Sequence, residues 1–185
     1  MSTPSAARQR VLDTATRLFY TEGIHTVGVD RIVTEAEVTR ATFYRHFPGK
    51  EELVREYIQG WDAGIRAEVA AGLGSGLTAA QLLGILLERL GQEMCGPGFR
   101  GCPFINAAAE YPDPQHPVSL AIADHRAWLR GLIVRLLREA GLSGPERRAD
   151  VLILLRDGAM VGAALGDPAT TAASLAAAVA QLLEL

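Results

Sequence analysis

Between Thr39 and Lys50 the chain reads TRATFYRHFPGK. Arg40, Thr42, Tyr44, Arg45 and His46 bring hydroxyls, guanidiniums and an imidazole into one short segment, and only Phe43 and Phe47 are clearly apolar. Groups of this kind suit phosphate oxygens and the acceptor edges of bases. Other side-chain chemistry is thinly represented. His25, His46, His116 and His125 are scattered without metal-ligand spacing, and neither Cys95 nor Cys102 has a His or Asp at a telling distance. Strand patterns are nearly absent, so there is no strand-linked glycine loop for a nucleotide. No metal, no cofactor and no enzymatic activity are expected.

The elements that must position these groups are helices. Phe43 and Phe47 lie four apart and share one face of a short helix, which leaves the polar set outward. Before it, Val29, Ile32, Val33 and Ala36 recur at three- and four-residue spacing, which predicts a second short amphipathic helix. Glu37 and Val38 separate the two, and Thr39 is a good N-cap for the second. Helix, tight turn, helix with a donor-rich face is the helix-turn-helix pattern. Two such short helices bury too little alone. A longer one over about Ala6–Glu22, with its stripe Val11, Leu12, Ala15, Leu18 and Phe19, is expected to hold them. Gly23 suits the left-handed position that closes it. Past Pro48 and Gly49 a regular stripe runs through Leu53, Val54, Tyr57, Ile58, Trp61 and Ile65. The N-terminus of that helix, with Lys50, is suited to a phosphate.

The run from Arg10 to Tyr57 resembles the N-terminal domain of TetR-like transcriptional repressors. The matching residues are VLDTATRLF (Val11 to Phe19), Gly23, VDRIV (Val29 to Val33), TFYRHF (Thr42 to Phe47) and KEEL (Lys50 to Leu53). The resemblance implies an all-α fold of about nine helices. A DNA-binding helix-turn-helix domain over 1–49 would precede a helical effector-binding and dimerisation domain over 50–185. It implies base reading by Thr39, Arg40, Ala41, Thr42, Tyr44 and Arg45, with Tyr44, His46 and Lys50 on the DNA backbone. Arg31 is a further phosphate candidate. The implied protein is a homodimer joined through its last two helices, bound to a double-stranded palindromic operator and released by a small-molecule effector of unknown identity. Two residues depart from the family pattern. Glu37 stands where the turn usually has Gly, and Gly28 stands where Ser or Thr usually caps the second helix. They keep open an alternative, a helical protein-interaction module with a degenerate head.

Charge and composition agree with a DNA reader. Up to Lys50 there are seven basic residues against five acidic ones; beyond it there are eleven against sixteen. A slightly basic head thus precedes an acidic body. Apolar residues make up 49% of the chain, much of it Ala and Leu, which favours helix. The most apolar run, Val151 to Leu165, is broken by Arg156 and Asp157 and is too short to span a bilayer. No secretory signal opens the chain, and two cysteines make no disulfide framework, so a reducing cytoplasm is expected.

Met1 to Ser5 reads as a loose arm, and Gly72 to Gly76 as a flexible connection. Thr78 to Gln81 reads as a capping box opening a helix apolar on most sides, which should therefore be buried. Further helices are expected over Pro103–Tyr111, about Val118–Ala140, a stretch ending near Leu165, and Asp167–Pro168 to the C-terminus. Ser143 to Glu146 reads as another capping box. Gly158, Gly162 and Gly166 recur every four residues and suit close approach of another backbone. Residues stranded among aliphatics are the effector candidates: Trp61, Phe99, Cys102, Phe104, Asn106, Glu110, His125, Trp128, Asp157 and Met160. Asp157 stands out, because a buried charge is costly unless paired. It is expected to bond a ligand or an arginine of the helix over 118–140. Cys102, just before a helix start, is also a candidate redox thiol.

Overall fold

A computed structural model describes residues 5–183, and nine helices occur among them, with no strand. Met1 to Pro4 of the expected arm and the last two residues of the chain lie outside the described residues. The chain forms two compact units, residues 1–64 with 103–122 and residues 65–102 with 123–185.

The first unit is built on α1 (Ala6–Glu22), α2 (Val29–Glu35) and α3 (Arg40–His46), followed by α4 (Lys50–Leu73) as far as Gly64. It also takes in α6 (Pro103–Glu110) and the first residues of α7 (Pro117–Glu139). Its core takes most of the predicted stripes: Val11, Ala15, Leu18 and Phe19 of α1, Ile32 and Val33 of α2 with its C-cap Ala36, Phe43 and Phe47 around α3, and Leu53, Val54, Tyr57 and Ile58 of α4. Leu12, Val29 and Trp61 are only half-buried, and Ile24 and Val27 of the α1–α2 loop are buried as well. Phe19 and Tyr57 meet edge to face at 5.6 Å. Ser5 caps α1 by accepting the Arg8 N–H, and Gly23 at φ 93 closes the helix with its own N–H on the Phe19 carbonyl.

The second unit holds the rest of α4, α5 (Ala79–Met94), the rest of α7, α8 (Pro145–Leu165) and α9 (Pro168–Leu183). The predicted Thr78–Gln81 capping box forms in full at the start of α5. α8 and α9 pack on one another, and their buried residues include Leu152, Ala159, Met160, Ala163, Leu175, Val179 and Leu183. The short Gly166–Asp167 link makes them antiparallel neighbours, and Asp167 Oδ2 caps α9 by accepting the Thr170 N–H at 2.8 Å. Along α7 and α8, Arg126–Asp157 (2.7 Å), Arg130–Asp150 (2.6 Å) and Arg138–Glu146 (2.8 Å) form a ladder of ion pairs. Those at the surface add little individually; they mark the register of the two helices.

Two local expectations change. The capping box at Ser143–Glu146 does not form: Gly144 at φ 59 is the N-cap, with no side-chain bond, and the Ser143 carbonyl accepts Arg148 Nε at 2.8 Å. Pro145 does occupy the first turn. α5 is buried on one face only: Leu82, Leu83 and Met94 are inside, and Ile85 is exposed. Of the three spaced glycines, Gly162 faces Thr171 of α9, Gly166 is the C-cap of α8, and Gly158 looks into open space.

Candidate nucleic-acid interface

The head is organised by what α3 buries. Phe43 and Phe47 are fully enclosed, with ring centres 5.8 Å apart, and the guanidinium of Arg8 lies 5.1 Å from the Phe47 ring centre. Anchoring these two rings turns Arg40, Ala41, Tyr44 and Arg45 to solvent, with Tyr44 53% exposed and edge-on to Phe43 at 5.2 Å. Thr39 caps α3: its Oγ1 accepts the Thr42 N–H at 3.1 Å and donates to Thr42 Oγ1 at 3.0 Å.

The turn between α2 and α3 is a Schellman closure. The Glu37 N–H donates to the Thr34 carbonyl and the Val38 N–H to the Val33 carbonyl, both at 3.2 Å. Glu37 takes the left-handed position at φ 52, the only non-glycine residue to do so among the described residues. That conformation costs an L-residue about 1 kcal/mol or more, yet the turn closes along the path a glycine would give. Arg10 of α1 adds a bond from Nε to the Ala36 carbonyl at 3.2 Å, which satisfies an end group of α2. At the other end of α2, Gly28 is an N-cap without a side-chain bond.

Charges around this surface are mostly paired. Arg40 meets Asp30 of α2, and both side chains are largely exposed. Arg31 is held by Glu35 and, at 3.4 Å, by Glu22. Glu35 also holds Arg17 of α1, so hydrogen bonds from Arg17 and Arg31 keep its carboxyl below the ordinary carboxylate range. Arg8 pairs with Glu56 of α4. His46 Nε2 lies 3.0 Å from Ser5 Oγ. Lys50 lies 6.0 Å from the Phe19 ring centre, and partial burial pushes its ammonium down. Arg45 alone of the exposed α3 cations has no ion-pair partner among the described residues. Reading the sequence missed Arg10, Asp30 and Glu35 as organisers of this surface. Asp30 in the first turn of α2 was a legible signal for a helix start, whereas its pairing with Arg40 across the turn needs coordinates.

The effector candidates fall into both units. In the first, Trp61 is half-buried beside Tyr20 (ring centres 5.8 Å), with its indole N–H buried and unpartnered. Phe104 is buried, Asn106 is exposed, and Glu110 binds the backbone of the α1–α2 loop. In the second, Phe99 is half-buried, and His125 and Met160 are buried. Trp128 stands 5.8 Å from the His125 ring and 4.5 Å beneath the Arg66 guanidinium. Asp157 is ion-paired with Arg126 of α7, the second of its two expected partners, and with Arg156 at 2.8 Å. Cys102 is buried 3.4 Å from Arg156 Nη2. Among the described residues there is no cluster suited to a metal and no helix long and apolar enough to cross a membrane.

Fold and site together define a helix-turn-helix regulator of the all-α kind. Residues 11–57 match the model of "Bacterial regulatory proteins, tetR family". The HTH-type transcriptional regulator LmrA of Bacillus subtilis is 30% identical over 146 residues, covering 77% of this chain and 76% of that protein. The crystal structure of SCO4454, a TetR-family transcriptional regulator from Streptomyces coelicolor, is 46% identical, with a TM-score of 0.92 over 96% of this chain and 94% of that one. Escherichia coli NemR in its reduced form shares the fold at 21% identity and TM-score 0.86, over 96% of each chain. The chain belongs to the TetR family of bacterial transcriptional regulators.

Proposed function

We propose that the protein is a repressor that binds a palindromic DNA operator as a homodimer and is released by a small-molecule effector. The observation that carries the DNA half is α3 itself: its two rings are wholly enclosed, and this turns Arg40, Ala41, Tyr44 and Arg45 outward together. In this reading Arg40 takes a guanine O6/N7 edge with two bonds. Thr39, Ala41, Thr42, Tyr44 and Arg45 complete the base-facing set, and Tyr44, His46, Lys50 and Arg31 contact the DNA backbone. Asp30 holds the Arg40 guanidinium at the surface before DNA arrives. The left-handed Glu37 and the closed Schellman turn favour a working head over a degenerate one.

A single head makes few phosphate contacts, and a two-fold dimer doubles them. Leu154, Val161 and Leu165 lie on one side of α8 and are exposed, which supports α8 and α9 as the dimer face. The effector would act by favouring one conformation of the body over another. That requires different affinity for the two states. Tilting α4 would then change the spacing of the two heads.

The test is a salt-titrated binding isotherm on a duplex from the promoter beside the gene. A steep fall of affinity with salt supports the reading. Lys50→Ala should weaken binding to all sequences alike and lower the log–log slope by about one. A parent protein that binds no such duplex at low salt would sink the reading and favour the interaction module.

A further inference from the structure

Glu110, the last residue of α6, spends its carboxylate on the reading head. Oε1 accepts the Ile24 N–H at 2.8 Å, and Oε2 accepts the His25 N–H at 2.5 Å. Oε2 also lies 3.5 Å from His25 Nδ1. Successive amides converge on one carboxylate in this way when the chain turns sharply just before them. Gly23 at φ 93 supplies that turn, and a Cβ placed there would lie 3.6 Å from Oε1. The neighbouring Tyr111 is buried between the rings of His25 (5.2 Å) and His116 (4.6 Å). His116 Nδ1 accepts the Val118 N–H at 3.2 Å, so its proton sits on Nε2, which faces Glu51 of α4 at 3.3 Å. The segment following α6 is thus tied both to the loop before α2 and to the start of α4.

We infer that Glu110 is a positioning residue for DNA reading, holding the α1–α2 loop so that α2, and α3 with it, meets the duplex in a fixed orientation. The inference rests on the DNA-reading proposal above. Its physical ground is that α2 has seven residues, too few to hold itself, and its N-cap Gly28 contributes no side-chain bond. The start of α2 is therefore placed by the loop, through buried Ile24 and Val27 and through the two charge-assisted bonds to Glu110. Because α2 and α3 are locked by the Schellman turn, a loop freed from Glu110 lets both reorient together. Binding then selects the fraction still correctly placed, and apparent affinity falls by that fraction.

The full-length chain carries the test, with Glu110→Ala and Glu110→Gln measured below their melting temperatures. Three readouts are needed: amide hydrogen exchange over residues 23–27, affinity for the promoter duplex, and its salt slope. Glu110→Ala is expected to exchange faster there and to bind about tenfold more weakly at an unchanged slope, because no phosphate contact is removed. Glu110→Gln keeps a neutral acceptor and should recover part of the loss; it also serves if the alanine variant does not fold. A folded variant with parental exchange and affinity within about twofold of the parent overturns the inference. A lowered salt slope does so too, since it would make Glu110's effect one on phosphate contacts. If the parent itself binds no duplex, the DNA reading fails instead, and the exchange measurement still decides whether Glu110 holds the loop.

Discussion

Arg40 and Glu37 carry the most information per residue. Arg40 stands in the first turn of α3 with its guanidinium on Asp30, whose hydrogen bond and charge raise the arginine's pKa further. Removing it with Arg40→Ala should cost about 1–3 kcal/mol of operator binding and relax preference at one base position. A panel of single-base operator variants reads this directly; equal profiles for parent and variant would exclude Arg40 as the reader. Glu37 tests backbone strain. Glu37→Gly removes the left-handed penalty, partly offset by a more flexible unfolded chain, and should raise stability by up to about 1 kcal/mol in urea melts. A loss of stability would mean that the glutamate side chain does more than occupy the turn.

At the scale of the element, α3 depends on its two rings and α2 on its bridge to α1. Phe43→Ala empties a fully buried site and should cost about 3–5 kcal/mol, unfolding the head before the second unit in a melt followed by amide hydrogen exchange. Glu35 links Arg17 of α1 to Arg31 of α2. Its folded-state pKa is depressed, so its contribution to stability is present above the unfolded-state value and is lost as pH falls through the lowered folded value. The stability gap between the parent and Glu35→Gln should therefore be full at neutral pH, begin to shrink below about pH 4, where the free carboxyl protonates, and vanish only below the lowered folded-state value. A gap independent of pH would assign the effect to packing.

Among the described residues, α8 presents an apolar stripe that lies open to solvent. Leu154 is 71% exposed and Leu165 is 85% exposed. Contiguous patches of this kind mark association surfaces in soluble proteins. Leu154→Glu with Leu165→Glu should leave the chain folded, since neither side chain is in its core, and shift it from dimer to monomer in light scattering. Operator affinity should fall with it, because one head must then bind alone. A variant that scatters as the parent does would move the dimer face elsewhere.

Much of this was legible before any coordinates. Apolar spacing of three and four residues places α1 to α4 and their core, because a helix with one wet face has no other way to arrange its side chains. Gly23 and Thr39 mark a helix end and a start through backbone and hydrogen-bond chemistry that is local. The residues of α3 name the surface, since burying Phe43 and Phe47 dictates what faces out. What the tertiary structure alone decided is how distant charges are shared. Glu110 reads as a stranded polar residue in sequence, and 86 residues separate it from the Ile24 amide it binds. Asp157 has two admissible partners until α7 and α8 fall into register and set Arg126 against it. A local pattern records which face a residue takes, but pairing between charges depends on where two segments meet, and that is settled only when the chain has packed.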